Sequence, residues 1–228
     1  MAESLHSVRF PGESAEYREA RNQLLQAEIE LRERMESVAR LRRGLPRGGR
    51  VPQDYEFEEW NGSVKRRTKL SELFAAGKDS LVVYSFMYGP TAEHACPMCT
   101  SFLDGLNGNA VHIAQRTNLV VIAKSPLARI MEYARGRGWS NLRLLSSEKN
   151  SYNRDYHGED EKGSQHPALN VFTRKDGRIR HTWASELMFA PADAGQHPRH
   201  VDMMWPLWGV LDLTPEGRGT DWYPKLEY

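Results

Sequence analysis

Cysteine is scarce in this chain of 228 residues: Cys96 and Cys99 are the only two, and two residues separate them. Charge of neither sign is in excess, with 31 Lys and Arg against 30 Asp and Glu. That balance leaves no basic surface of the kind that binds nucleic acid or an anionic membrane, so neither is expected as a partner. Long hydrophobic runs are also missing. No apolar stretch reaches membrane-spanning length, and the N-terminus "MAESLHSVRFPGESAEYREA" lacks the apolar core of a signal peptide. There is no internal repeat and no low-complexity tract. These absences point to the cytoplasm, where thiols stay reduced and a lasting structural disulfide is disfavoured. In that compartment a Cys-x-x-Cys pair is more often catalytic or metal-binding than a staple.

What is present begins with a helix. Residues 14–43, "SAEYREARNQLLQAEIELRERMESVARLRR", place Tyr17, Leu24, Leu31 and Val38 on one stripe, with Ala20, Ala27 and Leu41 beside it. Ser14 is a candidate N-cap, and Gly44 and Pro46 end the pattern. The sevenfold spacing fits a coiled-coil seam and hence a homodimer through this helix. Glu28 and Arg34 interrupt the stripe, which favours a charged helix laid across its own domain. "LPRGGRVPQ" (45–53) reads as a linker. "DYEFEEWNGSVKRRTKL" predicts a hairpin around Asn61-Gly62, and "KLSELFAAGKD" a short helix capped by Ser71 and stopped by Gly77.

From residue 81 the elements alternate. "LVVYSFMY", "NLVVIAKS" and "LRLLSS" are buried strands, separated by helices over 97–116 and from Pro126 through "PLARIMEYARGRG". This βαβαβ order predicts a parallel sheet with right-handed crossovers. "HPALNVFTRKDGRIRHTWAS" then predicts an antiparallel hairpin around Asp176-Gly177. Within the first of these helices, "GLNGNA" (105–110) lacks any phosphate-loop pattern and predicts a kink or a short interruption. "YNRDYHGEDEKGSQHP" (152–167) reads as a polar surface loop. The Trp-, Met- and Pro-rich end carries "DMMWPLWGVLDL", one or two short helices, with an irregular tail after Thr214.

The cysteines fall where a strand passes into a helix. At a helix N-terminus, free backbone N–H groups and the dipole favour an anion, which lowers the pKa of a thiol there. Pro97 suits the first helical position, where no N–H is needed. Cys96 would be the exposed nucleophile, and Cys99, one turn on, the buried thiol that resolves a mixed disulfide formed at Cys96. Three other readings stand beside this one. His94, Cys96 and Cys99 form H-x-C-x-x-C, and His166, His181, His197 or His200 could add a fourth zinc ligand, although no second tight ligand pair is present. Cys96 could be oxidised to a sulfenic acid and resolved by Cys99, as in a peroxidase, although the supporting Arg could only be guessed as Arg129 or Arg116. The cysteines could also be packed core residues without redox chemistry.

The order strand, "CPMC", helix, strand, helix, then a Pro starting a hairpin strand resembles the thioredoxin-like superfamily. More narrowly, "LSELFAAGKDSLVVYSFMYGP", "CPMCTSFLDGLNG", "VVIAKSPLARI" and "LDLTPEGRGTDWYP" are similar to an uncharacterised bacterial family of predicted dithiol-disulfide oxidoreductases. The resemblance implies a cis-proline facing the dithiol, and the matching position is Pro167, with His166 at the edge of the site. It also departs from thioredoxins. Ala95 stands where a Trp is usual, Pro97 and Met98 occupy the middle of the motif, and "LVVYSFMY" carries no acid to take the proton of the resolving thiol. The peroxidase reading shares the fold.

The expectation is therefore an α/β thioredoxin-like fold, a central mixed sheet flanked by helices. Its parts are an N-terminal helix and linker (1–53), the thioredoxin-like domain (54–186) and a C-terminal extension packed on it (187–228). The expected activity is thiol–disulfide oxidoreduction with Cys96 and Cys99 as the reacting pair and Pro97, Met98, His166 and Pro167 around them. No metal and no cofactor is expected. The partner is a protein or low-molecular-weight thiol or disulfide.

Overall fold

The computed structural model describes residues 5–62, 64–192 and 197–228. The chain divides into two compact units, residues 1–46 and 47–228. The first is built on α1, Ala15–Arg43. Its start is set as the sequence implies: Ser14 is extended and its hydroxyl oxygen accepts the Tyr17 N–H at 3.1 Å, satisfying one of the orphan donors of the first turn. Gly44 follows the last turn, where Arg40, Arg42 and Arg43 complement the negative end of the dipole.

The second unit holds one seven-stranded mixed sheet. Its strands are β1 (Glu56–Asn61), β2 (Val64–Lys69), β3 (Ser80–Phe86), β4 (Asn118–Ala123), β5 (Leu144–Ser146), β6 (Ala168–Lys175) and β7 (Arg178–Ala184), in the order β2-β1-β5-β4-β3-β6-β7. Strands β3, β4 and β5 run parallel, as the βαβαβ pattern requires. The crossovers are α2 (Pro97–Ile113) and α3 (Leu127–Arg137). The β6–β7 hairpin is added antiparallel to β3, turning at Asp176 and Gly177, which both have positive φ. The β1–β2 hairpin turns at Gly62 and pairs with the far edge at β5, while Ser63 lies outside the described residues. This is the thioredoxin-like arrangement expected, with a long N-terminal helix.

Alternation along β3 divides the core. Leu81 and Val83 face one buried cluster with Tyr55, Phe57, Tyr152 and Phe172. Val82, Tyr84 and Phe86 face the other, with Cys99, Phe102, Leu103, Trp205 and Trp208. The C-terminal segment closes this second face with α5 (Pro206–Leu211), α4 being the single turn Tyr152–Asp155 on the way to β6.

Several local expectations are corrected. "LSEL" forms only a 3-10 turn over Leu70–Leu73, and Ser71 does not cap it, because its N–H and hydroxyl both donate to the Asp54 carboxylate. Helix α2 runs through Gly105 and Gly108 without a break, and a Cβ at Gly105 would make only an ordinary 3.7 Å contact with Pro206. The loop after β5 is not all surface, for Tyr152 is fully buried in the aromatic cluster and Asn153 is nearly so. The linker also pairs with β7, the His181 N–H donating to the Gly49 carbonyl and the Val51 N–H to Ile179. At Gly48 a Cβ would stand 1.8 Å from the His181 carbonyl oxygen, so the close approach requires glycine.

Candidate active site

Strand β3 delivers the chain to the end of the sheet, and the segment 87–95 carries it to α2. Arg129 of α3 holds that segment: its guanidinium donates to the carbonyls of Pro90 (2.8 Å) and Ala92 (2.5 Å) and lies 4.7 Å over the Tyr88 ring. The Cys96 N–H then donates to Met87 at 3.1 Å, and Cys96 becomes the N-cap of α2 with Pro97 first in the helix. The Thr100 N–H and hydroxyl both satisfy the Cys96 carbonyl at 2.9 Å, and that hydroxyl also meets Tyr133 of α3 at 2.8 Å. Cys96 is thus tied to the segment after β3, to α2 and, through Thr100, to α3.

The two thiols are free and differ sharply. Cys96 is half-buried and its Sγ accepts the Cys99 N–H at 3.4 Å. The hydrogen bond from the Cys99 thiol, helped by the backbone N–H groups of Cys99 and Met98, outweighs desolvation and pulls its pKa down to about 6. Cys99 is 2% exposed, and burial, reinforced by the neighbouring Cys96, pushes its thiol well above the ordinary range. The shifts favour the charged form at Cys96 and keep the proton on Cys99. Against the rise, the nearby Tyr84 hydroxyl and Met87 backbone favour its charged form.

The remaining expected site residues are less concentrated. Pro97 is exposed beside Cys96 and Met98 is half-buried, packed against the dithiol cluster. The His166–Pro167 bond is trans, since no cis peptide occurs among the described residues. The chain reaches β6 through the Glu159–Gln165 pairing and the His166 N–H bond to Gly158, so it arrives extended and no tight turn calls for the cis form. The His166 ring stands 3.8 Å from Asp160 in its own loop. With the bond trans, the cis-proline argument that assigned Pro167 and His166 to the dithiol lapses. His94 is exposed beside Glu93. His181 meets Asn170 at 2.8 Å, and His200 meets Ser185 at 3.0 Å. Among the described residues no three His, Cys, Asp or Glu groups gather as a metal site, and no helix is long and apolar enough to cross a membrane. Arg129, named from the sequence as a candidate arginine for a peroxidase, is engaged with the carbonyls of Pro90 and Ala92, and Tyr84, which the sequence reads as one more core aromatic of a buried strand, shares the buried cluster of Cys99.

The sheet order, with the Cys-Pro-Met-Cys motif opening the helix that follows β3, defines a thioredoxin-like fold. The chain belongs to the family described as bacterial protein of unknown function (DUF899), whose profile matches residues 7–228. Among curated proteins, none matches the chain. Among solved structures it is similar to AhpC of Enterococcus faecalis, at 14% identity over 73% of this chain and 94% of that one, TM-score 0.46. It is similar also to the mitochondrial 2-Cys peroxiredoxin of Plasmodium falciparum, at 13% identity over 76% and 100%, TM-score 0.47. A third is the exposed lipoprotein thioredoxin Etrx1 of Streptococcus pneumoniae, at 12% identity over 68% and 99%, TM-score 0.42.

Proposed function

We propose that this protein is a thiol–disulfide oxidoreductase in which Cys96 attacks and Cys99 resolves. One observation carries the reading: two adjacent free thiols whose surroundings push their pKa values apart, the accessible one down to about 6 and the buried one up. The Cys96 thiolate attacks one sulfur of a substrate disulfide, forming a mixed disulfide and releasing the first substrate thiolate. Cys99 then attacks Cys96, the Cys96–Cys99 bond forms, and the second substrate thiolate leaves. The substrate gains two electrons and the dithiol loses two; run backwards, the same steps oxidise a dithiol substrate. A peroxidase would want a guanidinium at the thiolate, whereas Arg129 is committed to the carbonyls of Pro90 and Ala92.

Thiol counting after equilibration in graded glutathione buffers tests the proposal. A single two-electron transition is expected, with Cys99→Ser trapping mixed disulfides and Cys96→Ser inert. Two thiols that stay free in strongly oxidising buffer would overturn it. Sulfenic acid formation at Cys96 with dilute peroxide, faster than exchange with any disulfide, would put a peroxidase in its place.

A further inference from the structure

The backbone at Cys96 decides where its sulfur points. Cys96 is the N-cap of α2, extended at φ −61° and ψ 123°, and this sets Sγ against the Cys99 N–H at 3.4 Å. Two bonds fix that conformation. The Cys96 carbonyl accepts from Thr100 at 2.9 Å, within the helix, and the Cys96 N–H donates to Met87 at 3.1 Å, outside it. The outer bond is only as firm as the segment 87–95 that carries Met87. That segment braces itself weakly: the Ala92 N–H donates to Gly89 at 3.3 Å, beyond the usual range. Its firmer support comes from the start of α3.

One row of residues, at intervals of four, supplies that support. Ser125, just ahead of α3, is fully buried; its N–H donates to the Tyr88 carbonyl at 2.9 Å and its hydroxyl to that of Gly89 at 2.8 Å. Arg129 comes next. The two arms of its guanidinium span the carbonyls of Pro90 and Ala92, and the fork lies over the Tyr88 ring. Tyr133 follows, its hydroxyl 2.8 Å from that of Thr100 and its ring 5.5 Å from that of Tyr88. Arg137 ends the row on Asp104 of α2. Residues four apart are neighbours on one helix face. A single face of α3 thus holds both the segment that leads to Cys96 and the helix that leaves it, and within the row Arg129 is the member that reaches past Gly89 toward the cysteine.

We propose that Arg129 is a positioning residue for the dithiol: by clamping the Pro90 and Ala92 carbonyls it fixes the segment from which Cys96 hangs, and so keeps the Cys96 sulfur on the Cys99 N–H. The step it serves, attack by Cys96 on a substrate disulfide, rests on the oxidoreductase reading. Arg129 acts through the backbone and touches no reacting atom. Without the fork, the two carbonyls lose their donors, the Met87 anchor moves, and the sulfur leaves the helix start. A displacement on the order of 1 Å at a reacting group costs up to about a hundredfold in rate. The other titratable groups in the surroundings are Cys99 on the same helix, Tyr84 of β3 and Tyr133 of α3, with Glu93 and His94 exposed on the segment 3.7 Å apart.

Two readouts test the clamp. The first is the pH midpoint for alkylation of Cys96 by iodoacetamide; the second is the rate at which Cys96 releases the first coloured thiolate from an aryl disulfide in stopped flow. In Arg129→Met the midpoint should rise by about one pH unit, as the helix-start N–H is lost to the sulfur, and release should slow about ten- to hundred-fold. Arg129→Lys keeps the charge but not the fork, and should stay nearer to Arg129→Met than to the native protein. Ser125→Ala removes one bond of the row and should move both readouts the same way by less. It decides the matter with Arg129→Lys where Arg129→Met does not fold. A merely structural arginine would lower the denaturant midpoint and leave both readouts alone, and that result in the folded variants overturns the clamp. Full recovery in Arg129→Lys overturns it too, by making the effect one of charge. If the native protein releases no thiolate, the oxidoreductase reading fails, while the alkylation midpoints still judge Arg129, so the two failures are told apart.

Discussion

The two faces of the sheet use aromatic residues differently. On the face away from the dithiol, Tyr55, Phe57, Tyr152, Tyr156 and Phe172 form a cluster of edge and tilted contacts. On the dithiol face, Tyr84, Phe102, Trp205 and Trp208 form a file from β3 to the C-terminal segment, in the buried cluster that includes Cys99. Both are buried, and both stabilise by removing large apolar area from water. Only one of them includes the cysteines.

The largest test removes a ring from each face. Phe102→Ala and Phe57→Ala both replace a fully buried side chain, and each should cost about 3–5 kcal/mol in denaturant unfolding. They should part company at the thiol. Phe102→Ala loosens the first turns of α2, which hold both thiols, and should raise the Cys96 pKa from about 6 toward the ordinary thiol value, while Phe57→Ala leaves it in place. Equal shifts in the two variants would mean that the faces are not separable in this way.

Acid should act on the faces in different windows. On the dithiol side, burial lowers the pKa of His200 from 6.5 to about 4, with His197 adding to the fall and Asp202 opposing it. The unfolded chain therefore takes up a proton that the folded one refuses, and stability falls between pH 6.5 and 4 by up to about 3 kcal/mol. His200→Asn should remove this part of the pH dependence in unfolding curves; an unchanged slope would exclude His200 as its source. On the other side, Glu59 of β1 is buried, which by itself would raise its pKa. Bonds from Arg143, Thr68 and Arg66 overcome this and bring it to about 2. Its contribution is complete above pH 4.5 and is lost as pH falls toward 2. Glu59→Gln should cost about 1.5–3 kcal/mol at neutral pH, and unfolding near pH 2 should show the cost vanish.

The smallest effect is expected at Gly108 on α2, where an added Cβ meets nothing within 4 Å. Gly108→Ala should stabilise by about 0.5–1 kcal/mol, because alanine loses less backbone entropy in a helix. Measured by denaturant midpoint, a loss of stability there would mean that the face of α2 bearing Gly108 is covered.

Much of the fold was legible because it rests on local periodicity. The α1 pattern with its Ser14 cap, the apolar runs of β3 and β4, and the Asp176-Gly177 turn each signal themselves within a few residues. Tyr152 was not legible, since a single aromatic in a charged stretch has no period to mark it. Nor was the continuity of α2 across Gly105 and Gly108, which depends on packing and on the rest of the helix rather than on the glycines. The placement of Cys96, Pro97 and Cys99 at the start of α2 could be read from spacing alone. The cis bond expected at Pro167 came from resemblance, and the path through the 156–167 loop set the bond trans instead.

The sequence by itself determined which thiols could react, because a Cys-x-x-Cys at a strand-to-helix junction fixes both the distance between the sulfurs and the field of the helix start. Only the tertiary structure decided what surrounds them. Tyr84 and Cys99 are fifteen positions apart along the chain, and nothing local joins them. They share one buried cluster because alternation on β3 turns one face toward α2, and the crossover lays that helix over the same strand.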